Sequence, residues 1–238
     1  MRSGYIAVIG RANAGKSTLI NVLVGEKVSI VSPKPQTTRD RILGVLTEED
    51  YQLVFVDTPG IYKARNALTD MMMRTTEQSA KEVDFILYVL DGHEGVKDGE
   101  FEVIEKYKAL GIPMAVAYTK IDIMPKENIP LDMAKFSDEE LDLDVFPVSA
   151  RKGRNIKALK EFLVAQMPEG EKIFEQEIVS DKSEKFMIAE IMREKILLKF
   201  DKEIPHGIAI VINTFELQDN GVYDIKGESQ YKITIHSG

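Results

Sequence analysis

Residues 7–25 read AVIGRANAGKSTLINVLVG. An apolar run ends in Gly10, four residues intervene, and Gly15, Lys16 and Ser17 lead into a stretch with helical spacing. Strand, glycine-bounded turn and helix start, in that order, constrain the fold more than any other feature of the chain. Glycines let backbone N–H groups turn inward, and a helix N-terminus adds partial positive charge, so the turn suits a phosphate. Lys16 then reaches the β and γ oxygens, and the Ser17 hydroxyl can bind Mg²⁺. The spacing G-x-x-x-x-G-K-S arises by chance in roughly one chain of this length in a hundred. A glycine-rich turn with an exposed lysine is the weaker reading, because the strand and helix required of a phosphate loop are both present.

The remaining chain repeats the strand-then-helix alternation. Segments 51–57, 84–92, 112–120 and 144–150 are apolar and β-rich, and 98–110 and 153–167 have helical spacing. Such alternation implies βαβ units: a three-layer, doubly wound α/β fold with a mostly parallel sheet and helices on both faces. Residues 41–50 run directly into 51–57, which predicts one antiparallel edge hairpin. Pro168 and Gly170 follow the last helix and open a polar, charged stretch. The expected organisation is a first domain over 1–168, a linker over 169–183 and a smaller α+β unit over 184–238. That unit has a helix (184–200) and two strands (207–217 and 223–237). With 238 residues, a net charge of −8 and no cysteine, disulfides, zinc–thiolate sites and cysteine nucleophiles are excluded. The acidic balance argues against non-specific nucleic-acid binding by the whole surface. No signal-peptide pattern and no membrane-length apolar run is present, and the three histidines lack metal-ligand spacing.

Four further motifs follow the phosphate loop. In VFVDTPG (54–60), Asp57 ends an apolar strand where a carboxylate can hold Mg²⁺, and the Gly60 N–H can approach a γ-phosphate. In YTKID (118–122), Asp122 can accept hydrogen bonds from guanine N1–H and the exocyclic amine. Adenine lacks that donor pair and would leave a buried carboxylate unpaired. Lys120 would lie along the base plane. In VSARKG (148–153), Ser149 and Ala150 follow a strand, and the Ala150 N–H would contact guanine O6. SPKPQTTRDR (32–41) lies between the first helix and the second strand, where a threonine hydroxyl can join the Mg²⁺ shell when the γ-phosphate is present. Thr38, just before Arg39, is the expected ligand rather than Thr37. Each motif alone is weak. Together they stand in order at strand C-termini, the edge where open α/β sheets bind ligands.

These residues resemble the translation-factor-like GTPases with a T-R-D switch, and within them the bacterial Era family over nearly the whole chain. GRANAGKSTLIN, KVSIVSPKPQTTRDRILGV, VDTPGIY, TKID and VSARKG carry the resemblance. In the second unit SEKFMIAEIMREK, EIPHGIAIVINTFE and YDIKG carry it more specifically. The resemblance implies a GTP-hydrolysing switch with a P-loop domain followed by a KH-type RNA-binding domain. It implies work on small-subunit ribosomal RNA and the 30S subunit, near the 3′ end of that RNA. It implies GTP or GDP contacts from Gly10, Arg11, Ala12, Asn13, Ala14, Gly15, Lys16, Ser17, Thr18, Thr37, Thr38, Asp57, Thr58, Pro59, Gly60, Thr119, Lys120, Asp122, Ser149, Ala150 and Arg151. Within these, Lys16, Thr38, Asp57, Gly60 and Asn13 would act in hydrolysis, and Ser17, Thr38 and Asp57 would hold Mg²⁺. A monomer in the cytoplasm, with peripheral association at the inner face of the cell membrane, is also expected. Two departures stand out. No G-x-x-G clamp follows residue 200, and residues 171–238 carry 9 Lys/Arg against 13 Asp/Glu. The second unit is therefore expected to be KH-like but truncated: either the sequence is a fragment, or RNA binding through this unit is weakened. The asparagine usual in N-K-x-D is Thr119, a residue found there in some GTPases, so guanine preference is expected to survive.

Ile61 follows D-T-P-G, where Ras-like proteins place a water-orienting glutamine. Families with this apolar substitution carry the P-loop asparagine and hold K⁺ with it. Asn13 and the loop 32–38 are thus expected to hold K⁺, which would stabilise charge developing between the phosphates. The alternative for Asn13 is a turn former that tolerates unusual φ/ψ. MMMRTT (71–76) reads as a second-switch helix with methionine packing. Two other functions stay open: an ATPase or kinase, opposed by Asp122 and VSA, and a GTP/GDP-binding module without useful turnover.

Overall fold

The apolar runs become strands because each carries branched or aromatic residues and is bounded by turn formers. A computed structural model of the chain describes residues 1–34, 37–60, 82–97, 99–136, 141–199, 208–219 and 221–231. Ile61, MMMRTT and the predicted strand residues 232–237 lie outside them. The first unit has strands β1 (Arg2–Gly10), β2 (Ile42–Thr47), β3 (Tyr51–Asp57), β4 (Phe85–Asp91), β5 (Met114–Thr119) and β6 (Asp144–Pro147). Their order is β2-β3-β1-β4-β5-β6. The strands run parallel except β2, which pairs antiparallel with β3 as the expected edge hairpin. β3, β1, β4 and β5 are buried along almost their full length, which is why they read as continuous apolar runs rather than alternating ones.

Helices α1 (Lys16–Val24), α2 (Glu100–Lys108), α3 (Asn128–Ala134) and α4 (Ile156–Gln166) cover the sheet. One core packs Leu19, Ile20 and Leu23 of α1 and Leu159 and Leu163 of α4 against Ile6, Val8, Phe55 and Leu87. The opposite core packs Ile104 and Tyr107 of α2 and Phe136 after α3 against Ile9, Tyr88 and Val116. These two faces make the expected three layers. α3 has no counterpart in the sequence reading. Pro130 reads as a break, yet it lies in the first turn, where its missing N–H has no helical partner to lose. α4 begins later than the expected 153. Ser149 and Arg154 exchange backbone hydrogen bonds, and Asn155 has φ 57°, so the chain turns before it winds.

The expected linker is bonded to the sheet edge rather than loose. Val45 N–H donates to the Val179 carbonyl at 2.9 Å, and Leu43 N–H donates to the Asp181 carboxylate at 2.8 Å. Ile173 and Phe174 cover the face of β2 and β3 formed by Leu43, Val45, Val54 and Val56. Gln52, fully buried, accepts from the Ile173 and Phe174 N–H groups at 2.7 and 2.9 Å and donates to the Phe174 carbonyl and the Thr47 hydroxyl. The second unit follows as α5 (Glu184–Lys199) and the antiparallel pair β7 (Ile208–Leu217) and β8 (Tyr223–Tyr231), with a register shift between Ile212 and Thr214. Phe215 and Tyr223 stack across the pair at 4.6 Å. No helix of the described residues is long and apolar enough to cross a membrane.

Removing the Gln52 amide orphans the part-buried N–H groups of Ile173 and Phe174. Gln52→Leu is expected to destabilise the protein by about 2–3 kcal/mol, read as a lower urea midpoint, with earlier proteolysis within 169–183. An unchanged midpoint would show that the strap does not depend on this side chain.

Candidate functional site

β1 delivers the loop Gly10–Gly15 to the sheet's C-terminal edge, and α1 starts immediately after it. Gly15 has φ 98°, a conformation that favours glycine. The Gly60 backbone lies so close that a Cβ there would fall 2.7 Å from the Ala12 Cα. Lys16 is buried, and its ammonium donates to the Gly10 and Arg11 carbonyls at 3.1 and 3.0 Å. Burial lowers its pKa to about 8, opposed by the nearby Asp57 carboxylate. A cavity of about 390 Å³ opens over the loop, lined by Ala12, Asn13, Gly15, Lys16, Ser17 and Thr18, by 30–34, Thr37 and Thr38, and by Gly60 and Lys120.

At its floor three oxygens converge. The Ser17 hydroxyl donates to Asp57 Oδ2 at 2.8 Å, and Thr38 Oγ1 lies 3.1 Å from Ser17 Oγ. Because Ser17 spends its hydrogen on Asp57, Thr38 is the donor of that pair. Thr37 differs: its hydroxyl donates to the Lys34 carbonyl at 2.6 Å. Asp57 is fully buried. Burial raises its pKa, while the Lys16 ammonium and the Ser29 and Ser17 hydroxyls lower it, with a net rise. Among the described residues, Asp57 Oδ1 and Ser29 Oγ are both buried without a partner of hydrogen-bond geometry. A carboxylate oxygen left open beside two hydroxyls is an oxygen donor set that suits a hard divalent cation.

Asn13 has φ 63°, and its side-chain amide donates to the Pro33 carbonyl at 2.8 Å. It is thus a left-handed turn residue that also grips the loop 32–38. The far end of the site is a second cavity of about 430 Å³, sharing Gly15, Thr18, Val31, Pro33 and Lys120 with the first. Thr119, Asp122, Ile123, Ala150 and Arg151 complete it. Ser149, fully buried, donates to Asp122 Oδ1 at 2.6 Å and lowers the pKa of that carboxyl. Asp122 therefore presents an ionised acceptor pair. The Lys120 ammonium donates to the Asn13 carbonyl at 2.8 Å and pairs with Asp91 at 2.5 Å, which lays its stem along the cavity wall. Thr119 donates to the Ala14 carbonyl at 2.7 Å and lies 3.0 Å from the Leu90 carbonyl, tying β5 to the phosphate loop.

Some expected residues support the site without facing it. Arg11 turns to the back of the loop, where it pairs at 2.5 Å with Glu100, itself buried and bonded by the Tyr88 hydroxyl. The Thr58 hydroxyl donates to the Val8 carbonyl. Gly10 and Ala14 contribute backbone, and Pro59 lines neither cavity. The sequence reading missed the second unit's hold on the loop before β2. Buried Glu194 of α5 accepts from Lys27 at 2.5 Å and from the Val31 N–H at 2.9 Å. Buried Arg193 donates to the Thr37 carbonyl at 2.6 Å, and Arg39 donates to the Ile208 carbonyl at 2.9 Å. The available signal was the R-E-K run within the helical stretch 184–200, which reads equally well as a solvated face.

A phosphate beside Lys16 would favour the charged ammonium and raise its pKa above 8. Between that value and the bound one, the complex holds more protons than the free protein, so binding takes up a proton. Affinity for a nucleoside diphosphate is expected to fall by up to about tenfold per pH unit above 8. Calorimetry in buffers of different ionisation enthalpy would read the uptake directly. A flat affinity from pH 7 to 9.5 would contradict it.

Comparison with known proteins places this geometry. A family model described as 50S ribosome-binding GTPase matches residues 5–120. A GTPase Era of Clostridium kluyveri is 42% identical over 238 residues, covering all of this chain and 81% of that protein. A GTPase Era of Caldanaerobacter subterraneus is 39% identical over the same 238 residues. A crystal structure of Era in complex with MgGDPNP and nucleotides 1506–1542 of 16S ribosomal RNA superposes with a TM-score of 0.90 at 38% identity. It covers 96% of this chain and 78% of that one. A variant of Aquifex aeolicus Era bound to GDP·AlF4⁻ gives 0.90 at 37%, covering 96% and 79%. By sequence over its whole length and by fold, this chain belongs to the Era family of GTPases.

Proposed function

We propose that this protein is a GTP-hydrolysing switch that binds small-subunit ribosomal RNA during assembly of the 30S subunit. The observation that carries the nucleotide half is the continuous pair of cavities. Lys16, Ser17 and Thr38 line one end, with Asp57 bonded behind Ser17, and Asp122, held by Ser149, stands at the other. A triphosphate laid along it would meet cationic and N–H groups first and the guanine-reading carboxylate last. The RNA half rests on the Era relative solved with 16S nucleotides. The family model with 50S in its description ends at residue 120, before the second unit begins. The relative with 16S RNA matches 96% of the chain, so it is the better guide to the partner. The domain division follows: nucleotide in 1–168, RNA through a KH-like unit from 184. Activity in the cytoplasm as a monomer, with peripheral contact at the inner membrane face, is part of the same reading.

In that reading each residue has a task. The glycine loop and Lys16 bind the phosphates. Ser17, Asp57 and Thr38 would hold Mg²⁺, and Mg²⁺ when bound neutralises charge on the phosphate oxygens. Gly60 brings an N–H to the γ-phosphate side of the loop. Ile61 has no group to orient water, so hydrolysis without a helper is slow. Asn13, bonded to the Pro33 carbonyl, brings an amide oxygen and the backbone of 32–38 together. That pairing supports a K⁺ site that supplies positive charge where an arginine finger would act.

GTP binding is expected to resist competition by a hundredfold excess of ATP, because adenine cannot satisfy Asp122. Equal competition would sink the guanine reading. Hydrolysis in KCl is expected to exceed that in NaCl by about tenfold or more, and Asn13→Ala is expected to remove the difference while leaving GDP affinity within about threefold. Equal rates in the two salts would remove K⁺ from the mechanism. Addition of an RNA matching the 3′ end of small-subunit RNA is expected to be bound, and to be bound more weakly without residues 184–238.

A further inference from the structure

Thr119 ends β5, is 2% exposed and lines the base cavity between Gly15 and Asp122. We infer that it leaves guanine N7 unread, so that this protein selects guanine through one edge of the base alone. The inference rests on the guanine reading above. A threonine hydroxyl has one hydrogen. Its two near partners, the Ala14 carbonyl at 2.7 Å and the Leu90 carbonyl at 3.0 Å, are both acceptors, so the hydrogen belongs to the backbone. What remains on Oγ1 is lone pairs, and N7 of guanine is also a lone pair.

Base orientation makes this matter. With N1–H and the exocyclic amine on Asp122, O6 follows on that same edge and N7 on the adjoining one, on the imidazole side of the ring that carries the ribose and faces the phosphate loop. Thr119 stands on that side: its Oγ1 is 3.6 Å from where a Cβ on Gly15 would lie. The neighbouring Ser149 hydroxyl is spent on Asp122 at 2.6 Å. An asparagine amide at this position has two hydrogens and could serve the Ala14 carbonyl and N7 together. Threonine keeps the tie between β5 and the phosphate loop and gives up the base contact.

The test compares GDP with 7-deaza-GDP, in which N7 is replaced by C–H, by titration of the full chain. The two are expected to bind within twofold of each other. Thr119→Asn is expected to bind GDP about five- to tenfold more tightly than 7-deaza-GDP, because N7 then has a donor. Thr119→Val removes the tie to Ala14 and keeps the shape. It is expected to weaken both ligands by the same factor, a pattern that separates anchoring from base reading. A fivefold or larger preference of the unaltered protein for GDP would overturn the inference. So would a Thr119→Asn protein that binds GDP without discriminating, since N7 would then lie elsewhere. If ADP competes as well as GDP in the same titration, the guanine reading itself fails and takes this inference with it.

Discussion

A carboxylate with no access to water has to be held by what surrounds it, and Asp57 is fully buried. It is the last residue of β3, opposite Val8 of β1 and Ile42 of β2. Strand register therefore brings it to the phosphate loop on one side and to the end of the loop 31–41 on the other. Lys16 and Ser17 come from the helix start that follows β1, and Thr38 comes from the segment that precedes β2. The charge and the hydroxyl that make Asp57 tolerable are thus the groups that the proposed function assigns to the nucleotide. A slip of one residue in β1–β3 pairing would turn Asp57 to the other face and separate them.

The segment before β2 is held from several directions. Asn13 grips it at Pro33 from the phosphate loop, and Ser17 meets it at Thr38. From the second unit Glu194 grips Val31, Arg193 grips Thr37, and Arg39 reaches back to Ile208. Buried charges joined to backbone groups are sensitive to small displacements, because a lost partner leaves an unpaired ion. A nucleotide-dependent shift of Thr38 would change the groups on which α5 rests, one residue away. The strap 169–183 adds a second mechanical link, since its backbone bonds to the edge strand β2.

Much of this was legible from residues 1–168 because the relevant signals are local. A strand, a glycine turn and a helix start lie within 20 residues, and each later motif sits at the end of its own apolar run. The unbroken runs of β1, β3, β4 and β5 could arise only from strands covered on both faces, which is a parallel sheet. Short elements whose cues conflict were not legible. The seven-residue α3, with Pro130 in its first turn, had no counterpart in the sequence reading, and the Ser149–Arg154 turn delayed α4. The charged stretch 169–183 read as a linker because polarity records composition and not the neighbouring strand edge that donates hydrogen bonds to it.

The sequence by itself determined the glycine turn before α1, the carboxylate that follows β5 and the layered sheet, since these depend on residue type and short spacing. The tertiary structure decided what contacts more than a hundred residues apart decide. Arg193 and Glu194 are buried against Val31 and Thr37, partners that nothing in the helical stretch 184–200 names. The single hydrogen of Thr119 goes to Ala14, 105 positions away. Each of these is the allocation of one hydrogen or one charge among competing partners, and only packing brings the competitors together.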